Sequence, residues 1–225
     1  MKKTIAFVLL LTLLASLCAC GSGQTAPAAQ PQNQTEETEA PEAANTDVLS
    51  QELADNVRLV SAVPMTFTVP DGYHAYDTEG NFTEEMCAAQ GVSYENMKGY
   101  MQLAGYDVVL IPENDALSSP SLEIDIRVKG MNYGVENLTE LSDSDLVRLA
   151  ADLLAGFSAT DYTLYDVQGA RFIVFDCNQI APERRYASII NGKMVYFIAV
   201  SASGKITDEQ DALVKNMLDQ LVIGA

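Results

Sequence analysis

The chain has 225 residues, of which 31 are acidic and 13 are basic, so its formal net charge is −18. A charge of this sign repels nucleic acid and anionic lipid surfaces, and we therefore exclude nucleic acid as a partner. The chain contains no tryptophan and only one histidine, His74. Any catalytic arrangement that requires a histidine would have to use that residue.

The first twenty residues have the pattern of a secretory signal peptide. Lys2 and Lys3 precede a mostly apolar run over residues 5–17. This run is shorter than the roughly 20 apolar residues that a transmembrane helix usually needs. Small residues follow at the expected cleavage site. We therefore interpret residues 1–19 as a signal peptide that directs the chain out of the cytoplasm.

The cleavage site resembles the lipobox of bacterial lipoproteins. Leu17 would stand at position −3, Ala19 at position −1, and Cys20 would become the lipidated first residue. Cys18 fits poorly because bulky Leu17 precedes it. The resemblance implies a lipid anchor in the cell membrane, with the protein on the extracytoplasmic face. The alternative is an ordinary cleaved signal peptide without lipid.

The next segment is a linker, and the rest of the chain is one domain. Residues 21–45 consist of small and polar residues with no large apolar side chain, so they are predicted to be disordered. With lipidated Cys20 this linker covers residues 20–46. Residues 47–225 are long enough to bury a sizeable core, and they are predicted to form a single domain.

The domain begins with a strand and continues with two short helices. The first strand ends at residues 67–69 and is closed by the turn Pro70-Asp71-Gly72. One helix is predicted after Thr83 and another after Ser93. Strands are predicted over 106–111 and 122–128.

A longer helix follows, opened by Ser142. Asp143 and Asp145 lie in its first turn, where acidic residues favour the helix dipole. Its apolar positions form one stripe that is expected to face a sheet: Leu146, Leu149, Ala150, Leu153, Leu154 and Phe157.

Two hairpins and a closing helix complete the chain. Tyr162 and Leu164 alternate with polar residues before a Gln168-Gly169 turn, and Asn191-Gly192 is the dipeptide favoured in type I′ hairpins. The segment from Thr207 to Gln210 has the form of a capping box. The apolar positions of the helix that follows are Leu213, Met217 and Leu221.

Together these elements resemble the PsbP-like superfamily, which includes the bacterial DcrB-like lipoproteins. The residues that carry the resemblance are 67–73 (Phe-Thr-Val-Pro-Asp-Gly-Tyr), the Asn191-Gly192 hairpin and the closing helix over 207–223. The resemblance covers roughly residues 57–223. It implies an α+β fold in which an antiparallel sheet carries helices on both faces, and it offers no shared catalytic residues. The helical pair at about 83–104 looks like an insertion relative to simpler members.

Two cysteines remain in the domain, Cys87 and Cys177. In a disulfide-permissive compartment they could form a bridge that stabilises the fold by about 4 kcal/mol. The alternative is two separate buried thiols. Cys177 alternates with Ile173 and Phe175, so it is expected to face a core. Because a domain of this size needs no crosslink, we expect most molecules to lack the bridge.

The sequence gives no pattern for a catalytic or metal site. No nucleophile elbow occurs, and His74 is expected to be an exposed loop residue. Zinc would require three distant segments to bring His74, Cys87 and Cys177 together. We therefore predict no catalytic residues, no metal and no cofactor. A pair of carboxylates for glycoside hydrolysis stays open in a chain with so many acids.

The 83–104 insertion is the candidate partner-binding surface. It contains Met97, Tyr100 and Met101, and methionine and tyrosine both suit protein interfaces. The structural alternative is that these side chains cover one sheet face. The function that we expect is a non-catalytic binding or accessory module of the cell envelope, which works with an envelope protein or a small ligand. The alternative function is an envelope hydrolase that uses carboxylates.

Overall fold

The structure is a computed structural model that describes residues 56–130, 133–178 and 181–224. All of these belong to one compact unit, residues 45–225. The predicted signal peptide, Cys20 and the linker lie outside the described residues. Among the described residues, no helix is both long and apolar enough to cross a membrane.

The described elements are ten strands, four α-helices and one short 3₁₀ helix. In chain order they are β1 (Val57–Val60), β2 (Met65–Thr68), β3 (Tyr73–Asp77), α1 (Glu84–Ala89), α2 (Tyr94–Ala104), β4 (Val108–Pro112), β5 (Glu123–Lys129), the 3₁₀ helix (Leu138–Glu140), α3 (Asp143–Phe157), β6 (Thr163–Val167), β7 (Ala170–Asn178), β8 (Pro182–Ile190), β9 (Lys193–Val200), α4 (Asp208–Asp219) and β10 (Val222–Ile223).

Seven strands form the central sheet, in the order β3-β4-β5-β9-β8-β7-β6. Every neighbouring pair in this sheet is antiparallel. Asn191 (φ 50°) and Gly192 (φ 69°) join β8 to β9, and two successive positive φ angles are the mark of a type I′ turn. The predicted hairpin at this dipeptide is therefore confirmed.

The first face of the central sheet packs under a small sheet and the closing helix. The small sheet has the order β1-β2-β10, and its Met65 and Phe67 are buried against the central strands. Helix α4 contributes Val214 and Met217 to the same cluster. The helix begins with the predicted capping box. Oγ1 of Thr207 accepts a hydrogen bond from the Gln210 backbone N–H, and Oε1 of Gln210 accepts one from the Thr207 backbone N–H.

Two separate helical caps cover the second face. The stripe on α3, including Leu149 and Leu153, packs on β7, β8 and β9. Helices α1 and α2 pack on Tyr76, Val109 and Ile111 of β3 and β4. Helices thus lie on both faces of an antiparallel sheet, which is the α+β architecture predicted from the sequence.

The expectation of an exposed contact surface on the insertion requires correction. Met97 is 0% exposed and Met101 is 1% exposed, because both side chains point from α2 into the cluster on β3 and β4. Tyr100 is partly buried and also packs against that cluster. The structural alternative is the correct one for the methionines. The large apolar side chain that α2 exposes is Leu103, at 89%.

Other differences concern single positions at strand edges. His74 lies in β3 and is partly buried, not in an exposed loop, because the chain enters the strand directly after the Pro70-Asp71-Gly72 turn. Leu164 is exposed on edge strand β6, whereas Tyr165 and Val167 pack against the core. The predicted strand over 106–111 begins at Val108, since Tyr106 and Asp107 belong to the loop after α2.

Cys87 and Cys177 are separate free thiols. Cys87 belongs to α1 and faces the cluster that α1 and α2 form on β3 and β4, while Cys177 faces the α3 cluster beside Phe175, as its alternation predicted. Because they belong to different caps on the second face, each thiol fills space in its own cluster.

Substitutions on α2 test this packing. We expect Met101→Ala to destabilise the protein by about 2–5 kcal/mol, because it leaves a cavity beneath the helix. The matched control is Leu103→Ala, two residues away on the exposed side, which we expect to change the stability by less than about 0.5 kcal/mol. Urea titration followed by circular dichroism measures both. Equal effects of the two substitutions would contradict this orientation of α2.

Candidate functional site

A pair of acidic residues occupies the middle of the central sheet. Strand β5 alternates, so that Ile124 and Ile126 join the core on the first face while Glu123 and Asp125 point to the second face. Glu123 is 7% exposed and Asp125 is 0% exposed. On the neighbouring strands Asp125 is paired with Val109 and Ile198. Burying a carboxyl group among apolar neighbours is unfavourable unless it is paired or neutral.

Two tyrosines cover this acid pair. Tyr100 of α2 donates a hydrogen bond of 2.6 Å to Oε1 of Glu123. Tyr106, in the loop that follows α2, lies beside Asp125, and its ring centroid is 6.2 Å from that of Tyr100. Tyr106 packs against both clusters of the second face. The acid pair therefore lies at the boundary between the two helical caps, beneath a phenolic roof.

Asp125 lacks the compensation that a buried carboxylate requires. Neither of its carboxyl oxygens has a hydrogen-bond partner of good geometry, although Tyr106 and Glu123 lie next to it. Burial raises the pKa of Asp125 well above the ordinary value, and the nearby charge of Glu123 raises it further. We infer that Asp125 keeps its proton under conditions in which exposed carboxyl groups are ionised.

The phenols above the pair stay protonated as well. Burial raises the pKa of Tyr100 and of Tyr106, and the charges of Glu123 and Asp125 act in the same direction. Both hydroxyl groups are therefore hydrogen-bond donors at all ordinary pH values. Hydroxyl donors can stabilise an acid pair that shares one proton and carries one negative charge.

A second group of polar side chains adjoins the pair on β7 and β8. Nη2 of Arg185 lies 2.8 Å from Oε1 of Glu183, and Sγ of Cys177 donates to the same oxygen at 3.1 Å. The Arg185 guanidinium lies 4.0 Å from the centroid of the Phe157 ring in α3. Burial, together with Glu183, raises the pKa of Cys177 to about 12. The thiol is therefore unreactive at neutral pH, because the thiolate is the nucleophilic form.

The described residues also bear on the predicted absence of a metal site. His74 lies 3.9 Å from Glu113 at the β3 edge of the sheet, far along the strand order from Cys177 on β7. Within residues 56–130, 133–178 and 181–224, no group of three or more histidine, cysteine, aspartate or glutamate side chains is arranged to hold a metal ion.

In the described conformation the acid pair is enclosed and not open to a substrate. A glycosidase needs two carboxyl groups that flank the bond to be cleaved. Glu123 and Asp125 share one strand face, and the roof of Tyr100 and Tyr106 separates them from solvent. In this conformation the pair can share a proton but cannot touch a sugar or a peptide.

A different acid network attaches the closing helix to the first face. Asp211 of α4 accepts hydrogen bonds from Tyr186, from Arg184 Nη1 at 2.8 Å and from Lys215 Nζ at 2.8 Å. Arg184 also pairs with Asp176 at 2.6 Å. Burial acts to raise the pKa of Asp211, but the hydrogen bonds and the positive charges outweigh it and hold the pKa at about 2. This network lines an open depression of about 290 Å³.

Of the sequence-predicted site residues, the structure brings only Tyr100 into this arrangement. Met97 and Met101 are core, and Cys20 lies outside the described residues. Sequence reasoning missed Glu123 and Asp125. The signal that could have found them is the alternation of charged and apolar residues over 122–128, in which Glu123, Asp125 and Arg127 share one face. Acids that stand inside a predicted central strand are more informative than acids in loops.

The Asp211 network predicts a specific pH dependence. The depressed pKa of Asp211 contributes stability that is present above the unfolded-state value of about 3.9 and is lost as the pH falls towards 2. We therefore expect Asp211→Asn to lower the free energy of unfolding by about 1–3 kcal/mol at pH 7 and to cost little near pH 2. Urea titrations at a series of pH values measure this difference. The control is Glu209→Gln, an exposed acid on the same helix, and a loss as large as that of Asp211→Asn would contradict the network.

No protein-family model and no curated protein sequence matches the chain. Among solved structures, the chain is similar to the solution structure of cyanobacterial PsbP (CyanoP) from Synechocystis sp. PCC 6803. The two chains are 13% identical, the TM-score is 0.42, and the match covers 75% of this chain and 91% of the other. That protein bears the name of the superfamily that the sequence resemblance indicated, and we draw no functional argument from the likeness.

Proposed function

We propose that this chain is an extracytoplasmic lipoprotein, tethered to the cell membrane by lipid on Cys20, that acts as a non-catalytic binding or accessory module of the cell envelope. Its partner would be another envelope protein or a small ligand. The anchor rests on the lipobox resemblance of residues 17–20 and on the signal-peptide pattern before it.

The observation that carries the non-catalytic part is the burial of the reactive groups. Asp125, whose pKa is raised most clearly among the carboxyl groups described, is 0% exposed. Cys87 is also 0% exposed, and burial raises its pKa. A catalytic acid or nucleophile must reach its substrate, and its pKa must suit the working pH. Neither Asp125 nor Cys87 can reach a substrate in the described conformation.

An open groove beside the closing helix supports a binding role. It measures about 450 Å³ and lies between the end of β2 and α4. Its polar lining is mostly uncharged, with the amide side chains of Asn56, Asn216 and Gln220 and the single acid Asp71. A second depression of about 270 Å³ shares Asn56 and Asp71 and extends the groove towards β3. Amide groups donate and accept hydrogen bonds, which suits a neutral polar ligand or a peptide backbone.

The alternative function is an envelope hydrolase that uses carboxylates, and one observation favours it. A carboxyl group with a raised pKa beside a second carboxylate is the pattern of a general acid and its partner. For Glu123 and Asp125 to act in this way, the roof of Tyr100 and Tyr106 would have to open and admit substrate.

Substitution of the two N-terminal cysteines tests the anchor. We expect the wild-type protein to partition with membranes, and Cys20→Ser to lose the lipid and escape normal processing. The matched control is Cys18→Ser, which removes a thiol two residues away and should leave membrane attachment intact. Membrane fractionation and mass spectrometry of the N-terminal peptide measure the outcome. An unmodified mature N-terminus in the wild type would refute the anchor.

A hydrolase assay tests the non-catalytic part. We expect the purified protein to show no turnover on panels of glycoside and peptide substrates. Turnover that disappears in Glu123→Gln and persists in Glu113→Gln, an exposed carboxylate at the end of β4, would establish the hydrolase instead. The lipid anchor and this outcome are independent, so each part of the proposal can fail separately.

A further inference from the structure

The buried acid pair is not used by the binding groove or by the lipid anchor. A carboxyl group with no exposed surface and no hydrogen-bond partner is unfavourable in a folded protein when it is charged. Asp125 is such a group, and it lies on the central strand β5. Its state of charge therefore affects everything that is packed upon it.

Helix α2 and the loop after it pack on Asp125. From α2, Tyr100 hydrogen-bonds to Glu123, and from the loop, Tyr106 lies beside Asp125. Gly105, which ends α2 with a φ of 69°, allows the chain to turn back over the strand at this point. The contact thus joins the end of the α1–α2 cap to the middle of the sheet.

The remaining groups around Asp125 include two arginines, neither of which is hydrogen-bonded to it. Arg127 follows on the same face of β5, and its guanidinium lies against Gly105. Glu123 on the same strand and Glu183 on β8 are both acidic neighbours that raise its pKa. Arg185 on β8 is paired with Glu183. The residues opposite Asp125 on β4 and β9 are Val109 and Ile198, which are apolar. Ionisation of Asp125 would therefore place a second negative charge beside Glu123, and neither Arg127 nor Arg185 is hydrogen-bonded to Asp125.

We propose that Asp125 and Glu123, together with Tyr100 and Tyr106, form a proton-dependent latch that holds the α1–α2 cap on the central sheet. With one proton shared between the acids, the pair carries a single charge that Tyr100 stabilises. When that proton leaves, the two carboxylates repel each other. Hydration of the charged Asp125 also becomes favourable, and both effects favour displacement of the cap from β5.

The direction of the effect follows from the sign of the pKa shift. The pKa of Asp125 is higher in the folded protein than in the unfolded chain, where it is about 3.9. The folded state therefore binds more protons. The stabilisation by the latch is fully present below the unfolded-state pKa of about 3.9. Its contribution is lost as the pH rises through the folded-state pKa. The cap should loosen on the alkaline side while α3, which packs on other strands, should not.

Hydrogen exchange of the full-length protein in detergent micelles tests the latch. After correction for the intrinsic pH dependence of exchange, we expect the amides of residues 84–104 in the wild type to lose protection as the pH rises from about 5 to 9. Over this pH range the loss should be about tenfold for each unit by which the folded-state pKa of Asp125 lies above 5, because the pH dependence between the unfolded-state pKa and pH 5 falls outside the scan. The amides of residues 143–157 are the internal control, and their protection should change much less.

Two neutral variants complete the experiment. Asp125→Asn keeps the shape of the side chain and removes the ionisation, so protection of residues 84–104 should become independent of pH and exceed that of the wild type at pH 9. Glu123→Gln removes the neighbouring charge and should weaken the pH dependence, which keeps the test available if Asp125→Asn does not fold. The control is Glu95→Gln, an exposed acid on α2, which should keep the wild-type profile. A pH-independent wild type, an unchanged slope in a folded Asp125→Asn protein, or equal loosening of α3 would overturn the proposal.

Discussion

The arrangement of the second face depends on one constraint, which is the placement of two carboxyl groups in the central strand of a sheet that is buried on both sides. Glu123 and Asp125 alternate with Ile124 and Ile126, so the strand that completes the core on one face brings acids to the other. Apolar helices cannot close over charged groups without compensation. The helical layer is accordingly divided into two caps, and the tyrosines Tyr100 and Tyr106 cover the boundary with hydroxyl groups.

Two helices are attached to the sheet through acidic groups whose surroundings have opposite effects on their charge. Asp211 of α4 is surrounded by Arg184, Lys215 and Tyr186, and its carboxylate is held in the charged form. Asp125 beneath α2 has no such partner and is held in the neutral form. One attachment weakens in acid and the other weakens in alkali. By these signs, both contributions are close to their full value only around the unfolded-state pKa of about 3.9.

Local signals in the sequence predict much of this fold. Asn191-Gly192 specifies its turn because both residues tolerate positive φ, and Thr207 with Gln210 specifies the start of α4 through reciprocal hydrogen bonds. The positions that sequence reasoning missed depend on partners far away in the chain. Strands β1 and β10 exist only through pairing with β2, and the burial of Asp125 follows from its pairing with Val109 and Ile198. The same limit explains Met97 and Met101, because a helical stripe shows that one side is apolar but not which surface covers it.

The burial of the insertion changes where a partner can bind. A strongly acidic domain is repelled by anionic surfaces, so a lipid on Cys20 would provide an attachment to the membrane that the surface of the domain does not favour. A neutral polar partner would be recognised by the parts of the surface that are least charged. The groove lined by Asn56, Asn216 and Gln220 meets this condition, since its polar groups are amides and its floor includes Met217. The 450 Å³ groove lies on the side of α4, on the face of the sheet opposite Glu123 and Asp125, and the depression that extends it towards β3 reaches Met86 of α1.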